Sequence, residues 1–182
     1  MISKSARNKI TIVLTVILLV LVVIQFFHPP KNNDPSVTAA DISNTYPLPG
    51  NVKDISVKAC YDCHSNNTRY PWYNNIQPVA WWLNDHIKDG KRHLNFSEFG
   101  GYKLLKQAKK LHETAEESEE GEMPLSSYTF IHRDAVLNET EKKAVVEWAD
   151  NLSKEVMAKV PPEEIEKDKQ RRKELQQQKE KK

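Results

Sequence analysis

Thiols are scarce in this chain. Cys60 and Cys63 are its only two cysteines, and no second CxxC or His-x-x-x-His pair accompanies them, so a structural zinc site of four soft or imidazole ligands is not supported. Alternating strand patterns are also missing, which removes the βαβ setting of a thioredoxin-like dithiol. The net charge is only +2, leaving no electrostatic footprint for a nucleic-acid partner. Methionine is limited to Met1, Met123 and Met157. That shortage restricts any chemistry that needs a thioether.

One long stretch has no charge at all. ITIVLTVILLVLVVIQFF, Ile10 to Phe27, follows a start that carries Lys4, Arg7 and Lys9 and no acid. Such a run is near the lower length limit for crossing a bilayer as a helix, and a basic flank stays on the cytoplasmic side. A cleaved signal peptide is the competing reading, but the residues beyond the run are His28, Pro29 and Pro30 and not a small-x-small site. No cysteine follows it to carry a lipid. The expected layout is a cytoplasmic start at 1–9, a transmembrane anchor at 10–27 and an exported remainder on the periplasmic side of a bacterial inner membrane.

Composition divides that remainder. Residues 28–50 are rich in Pro, Asn, Asp and Ser and read as a tether. Residues 161–182 hold one Ile and one Leu among charges and glutamines, too little apolar surface to repay ordering, and read as a solvated tail or a frayed helix. Between them, 51–160 form one small domain, which a large buried cofactor would help to stabilise. Its pattern is all-α. Val79, Trp82, Leu83, His86 and Ile87 form one apolar face, with Gly90 as the stop. Leu104, Leu105, Ala108, Leu111, His112 and Ala115 form a second, closed by Gly121. Val145, Trp148, Ala149, Leu152 and Val156 form a third after the capping-box pair Asn138 and Glu141. A short helix around Asp54 to Cys63 brings the expected count to about four.

The two cysteines lie in CYDCH, residues 60–64. CxxCH is the attachment signature of c-type haem: both thiols add across the porphyrin vinyl groups as thioethers, and the adjacent imidazole, here His64, coordinates the iron. A plain disulfide is permitted in an exported domain but leaves His64 unexplained. Methionine is one of the usual partners of histidine at the opposite iron face. Met1 is in the cytoplasmic start and Met157 is inside a helix, so Met123, between Gly121 and Pro124, is the candidate distal ligand. Its alternative is a core gap-filler. His86 and His112 are the rival ligands, whereas His93 and His132 read as surface or turn residues. In RYPWYNNIQPVAWW, Arg69 is a candidate donor to a haem propionate and Trp82 a candidate wall of the haem pocket, with ordinary core packing as the alternative for each.

CYDCHSNNTRYPWYNNIQPVAWWLNDHIKDGKRHLNFSEF, followed by EMP and IHRDAVLNETEKKAVVEWAD, resembles the membrane-anchored bacterial haem-binding domain family with one CxxCH, and more distantly small monohaem cytochromes c. The resemblance covers about Asn51 to Leu152. It implies one covalent haem c at Cys60 and Cys63, with His64 proximal and Met123 distal. Two functions stay open: single-electron transfer to an unknown redox partner through a six-coordinate iron, or small-ligand binding and sensing at an open or labile distal site. The first is preferred, because a methionine is available to fill the sixth position. No acid-base constellation marks an enzyme.

Overall fold

The computed structural model describes residues 4–180. Nine α-helices follow one another among them: α1 Lys4–Ile24, α2 Ile42–Thr45, α3 Gly50–Ala59, α4 Tyr61–His64, α5 Val79–His93, α6 Leu104–Glu120, α7 Ser126–Thr129, α8 Glu139–Met157 and α9 Pro162–Glu180. Short 3₁₀ turns cover Trp72–Asn75, Phe96–Gly101 and Arg133–Ala135. No sheet forms among the described residues. Asn33 and Asn67 make a single isolated bridge. The outermost residues of the expected start and tail, 1–3 and 181–182, lie outside the described residues.

The core is built on α6 and α8. Leu105, Ala108, Leu111 and Ala115 face Val145, Ala149, Leu152 and Val156, all buried, and the small Ala108 and Ala149 let the helices approach closely. Ser153 Oγ donates to the Ala108 carbonyl across this contact at 2.7 Å, so a polar group in the seam is satisfied. Phe96, Phe99 and Ile42 complete the cluster. Truncation of Leu111, fully enclosed here, should cost about 2–5 kcal/mol. Helix α8 starts as its sequence indicates: Asn138 Oδ1 accepts from the Glu141 N–H at 3.0 Å, and Glu141 Oε2 accepts from the Asn138 N–H at 3.1 Å.

Several expectations change on folding. The short helix near the cysteines is two helices, broken at Cys60, where φ is −121° and ψ −42°. Gly90 does not stop its helix; α5 continues to His93. His112 is exposed and lies 3.2 Å from Glu116, outside the apolar stripe. The segment 28–50 is laid on the domain: Ile42 enters the core, and Asn32 Nδ2 donates to the Ser65 carbonyl at 2.8 Å. Beyond Pro161, α9 is a continuous helix held to α6 by an ion pair between Asp168 and Lys109.

Candidate functional site

CYDCH occupies the single turn that follows the break at Cys60. The Cys60 carbonyl accepts from the Cys63 and His64 N–H groups at 3.2 and 3.0 Å, which winds both thiols and the imidazole into one helical turn. Asp62, between the cysteines, is buried and also borders the larger lobe of the cleft described below. Arg69 meets it there through its backbone N–H at 3.0 Å and its guanidinium at 3.1 Å. Tyr128 donates to the second carboxylate oxygen at 2.6 Å. Desolvation and this bond to Asp62 push the Tyr128 hydroxyl well above the usual phenol range.

Gly90 explains how α5 can lie beside this turn. A Cβ at that position would come within 2.7 Å of the Cys63 carbonyl oxygen. The glycine therefore serves close helix contact and not termination. Four residues further on, the α5 cap supplies the orienting acceptor for His64: its Nδ1 lies 3.0 Å from the Leu94 carbonyl. A carbonyl can only accept, so Nδ1 carries the proton and Nε2 keeps its lone pair. Burial pushes the His64 pKa down, against the raising effect of the Leu94 and Gly90 carbonyls, and this favours the neutral ring that a metal requires. Both thiols are free. Burial, assisted by Cys63, pushes Cys60 up to about 12, and burial with Asp62 pushes Cys63 up to about 11. Such thiols lack the low pKa of a redox-active dithiol.

A two-lobed cleft opens beside the turn. One lobe measures about 300 Å³ and the other about 520 Å³, each within the size range of ligand sites. Ala59, Cys60, His64, His93, Met123 and Pro124 border both. Leu94, Phe96 and Leu137 add an apolar wall to the smaller lobe, while Cys63, His86 and Tyr128 line the larger. Met123 is brought here by the end of α6. Gly121 adopts a left-handed φ of 80°, and the Met123 N–H donates to the Glu117 carbonyl at 3.1 Å, folding the loop back over the helix end.

Of the six residues expected from sequence, Cys60, Cys63, His64 and Met123 converge on this cleft. Arg69 does not, because Asp62 engages its guanidinium. Trp82 does not line either lobe; it is 45% exposed, and its ring lies 4.2 Å from that of His86. The buried stripe of α5 is Ala80, Leu83 and Ile87; Leu83 and Ile87 lie on it as expected, while Ala80 takes the place of Val79, Trp82 and His86. His93 and Lys110 were not expected at the site. Lys110 stands one position before Leu111 of the apolar α6 stripe, and only its meeting with Ala59 of α3 and the Met123 loop in space marks it.

Thiols and imidazole on one wall, a thioether loop bordering the same space and a largely apolar shell fit a haem. Among the described residues, no group of three or more His, Cys, Asp or Glu side chains is placed to hold a metal ion by itself. Residues 19–151 match the model of a haem-binding domain family. That is well over half of the chain, which therefore belongs to this family and is a haem-binding protein by descent. The match begins inside α1 and takes in the segment 28–50, in keeping with the packing of that segment on the domain. No curated protein and no solved structure matches the chain significantly.

Proposed function

We propose that the chain is a monohaem c-type protein, attached through Cys60 and Cys63, with His64 as proximal and Met123 as distal ligand. In this reading it is a single-electron carrier anchored at the periplasmic face of a bacterial inner membrane. The observation that carries it is the position of Met123, which borders both lobes of the cleft together with a His64 ring whose Nδ1, and not its Nε2, is engaged by the Leu94 carbonyl. Bound there, haem supplies a one-electron couple at iron. The chain's own residues attach, orient and shield. Leu94 would fix the His64 tautomer, Phe96 and Leu137 would exclude water, and Lys110, now paired with Glu113 at 2.5 Å, would exchange that partner for a propionate in place of Arg69. The anchor is α1, which is long and apolar enough to cross a membrane.

A second reading, ligand binding or sensing, is favoured by one feature: Met123 stands on a loop and not on a helix, so it can leave the iron at modest cost. One experiment addresses both. The full chain is produced with a cytochrome c maturation system and extracted with acidified acetone. Retained colour that is lost in the Cys60→Ala, Cys63→Ala double variant supports covalent haem, and free extraction from the wild type overturns it. An iron-to-protein ratio near one is expected. Ready binding of carbon monoxide by the reduced wild type moves the sensing role ahead of electron transfer.

A further inference from the structure

The domain does not hang free from its anchor. The helical bonding of α1 tightens into a last turn, with N–H groups of Gln25, Phe26 and Phe27 donating three residues back, and this turn is joined directly to the start of α5. The Phe27 carbonyl accepts from Trp81 Nε1 at 2.8 Å and from Gln77 Nε2 at 2.8 Å. Gln25 brackets the Gln77 backbone, accepting from its N–H at 2.9 Å and donating to its carbonyl at 3.1 Å. A helix leaving hydrocarbon has unpaired terminal carbonyls that lipid cannot satisfy. Here the domain satisfies one of them.

These bonds fix a depth. At about 1.5 Å per residue, the apolar run Ile10–Phe27 reaches about 27 Å as a helix, slightly short of a hydrocarbon core of about 30 Å. Phe27 therefore lies at the hydrocarbon boundary, and whatever bonds to its carbonyl lies in the headgroup zone. The side chains on that part of the domain suit this zone. Trp72 is 75% exposed, Ile76 44% and Trp81 36%, although the same domain buries smaller aliphatic residues completely. Tryptophan, with an apolar body and one N–H donor, concentrates at membrane interfaces.

We propose that Trp72, Ile76 and Trp81 form a membrane-docking face, which lays the haem domain on the headgroup region of the bilayer that α1 crosses. The inference rests on the anchoring reading above. It makes the neighbourhood of 69–81 the floor of the domain and restricts a redox partner to approach from the other sides, or from within the membrane plane.

The test uses the full haem-loaded chain carrying 5-fluorotryptophan, in nanodiscs of phosphatidylethanolamine and phosphatidylglycerol, with and without a headgroup spin-labelled lipid. Single Trp→Phe variants assign the four resonances. Trp72 and Trp81 should lose most of their intensity to the spin label, and Trp148, which packs on the domain core, should keep it. Equal intensities at all four sites, with the protein still resisting carbonate extraction from proteoliposomes, overturn docking while leaving the anchor intact. Extraction by carbonate overturns the anchor, and docking with it. Broadening that vanishes in favour of a change seen only with two chains per disc assigns the face to a second copy and also overturns the proposal.

Discussion

Asp62, the central acid of the CYDCH turn, accepts a hydrogen bond at 2.6 Å from Tyr128, which lies 66 residues further along the chain. Through this bond the turn that carries the thiols is tied to the helix that follows the Met123 loop. Tyr128 is placed to receive the tension, since its ring stacks on His132 at 4.3 Å and His132 Nε2 lies 2.6 Å from the Tyr73 hydroxyl.

Tyr128→Phe should therefore destabilise the domain by about 1.5–3 kcal/mol, the usual worth of a hydrogen bond to a charged group. The urea midpoint should fall with an unchanged slope. Carbon monoxide should also reach the reduced iron faster than in the wild type, because the Met123 loop has lost its tie. A variant with a normal midpoint and normal carbon monoxide kinetics would show that Asp62 serves Arg69 alone.

Gly90→Ala sets two effects against each other. Alanine in the middle of a helix gains about 1 kcal/mol in propensity over glycine, but the added methyl meets the Cys63 carbonyl at 2.7 Å, and overpacking costs about 1–3 kcal/mol. The contact is with backbone, which has little room to yield, so the clash should win. Lower thermal stability and a lower yield of attached haem are expected. A stabilised variant would mean that α5 can shift away from the CYDCH turn without loss.

The candidate site and the fold were legible to different depths. The CYDCH turn and its place in the cleft are legible because the motif is local, and the Asn138 and Glu141 cap is equally local. Helical periodicity indicates α5 and the Leu83 and Ile87 part of its buried face, but not the edge of that face: Ala80 is buried and Trp82 is not. Arg69 was assigned to an absent partner because Asp62, seven residues earlier, is a buried acid only in three dimensions. The segment 28–50 looks like a tether by composition, since its side chain to backbone hydrogen bonds, such as Thr38 Oγ1 to the Ser97 carbonyl at 2.9 Å, have no signature in sequence.

The docking of α9 on α6 should depend on pH. A hydrogen bond from Lys109, with further help from Arg171 and Arg172, holds the Asp168 carboxyl below its ordinary value of 3.8. A carboxyl depressed in the folded state stabilises above its unfolded pKa and loses that contribution as pH falls through the folded one. The protection factors of the α9 amides, exchange rates corrected for the intrinsic pH dependence, should thus be constant above about pH 4 and fall on acidification below it. Asp168→Asn should show the lowered protection already at pH 7. Equal protection in wild type and variant would show that α9 holds without this ion pair.

Lys110 and Arg69 are separable by potential. A cation beside a propionate favours the reduced iron, so Lys110→Gln should lower the reduction potential measured on the attached haem. Arg69→Gln should leave it nearly unchanged and instead lower the urea midpoint, because it removes the guanidinium bonds to Asp62. The opposite pattern would restore Arg69 as the propionate donor.

Met123 decides between the two functions. Its N–H is fixed to the Glu117 carbonyl, and Gly121 turns the chain with a φ no side chain tolerates well, so the loop is held where the sulfur borders both lobes of the cleft. A thioether at the sixth position favours ferrous iron. The oxidised wild type should show the weak red charge-transfer band of sulfur ligation and, when reduced, bind carbon monoxide poorly. Met123→Ala should abolish the band, open the iron to carbon monoxide and lower the potential. His86 and His93 also line the cleft. If the band is absent from a six-coordinate wild type, their substitution identifies the ligand in its place, loss of that spectrum in one of the two naming the histidine; a wild type that is already five-coordinate has an open iron suited to binding a small ligand rather than to passing an electron.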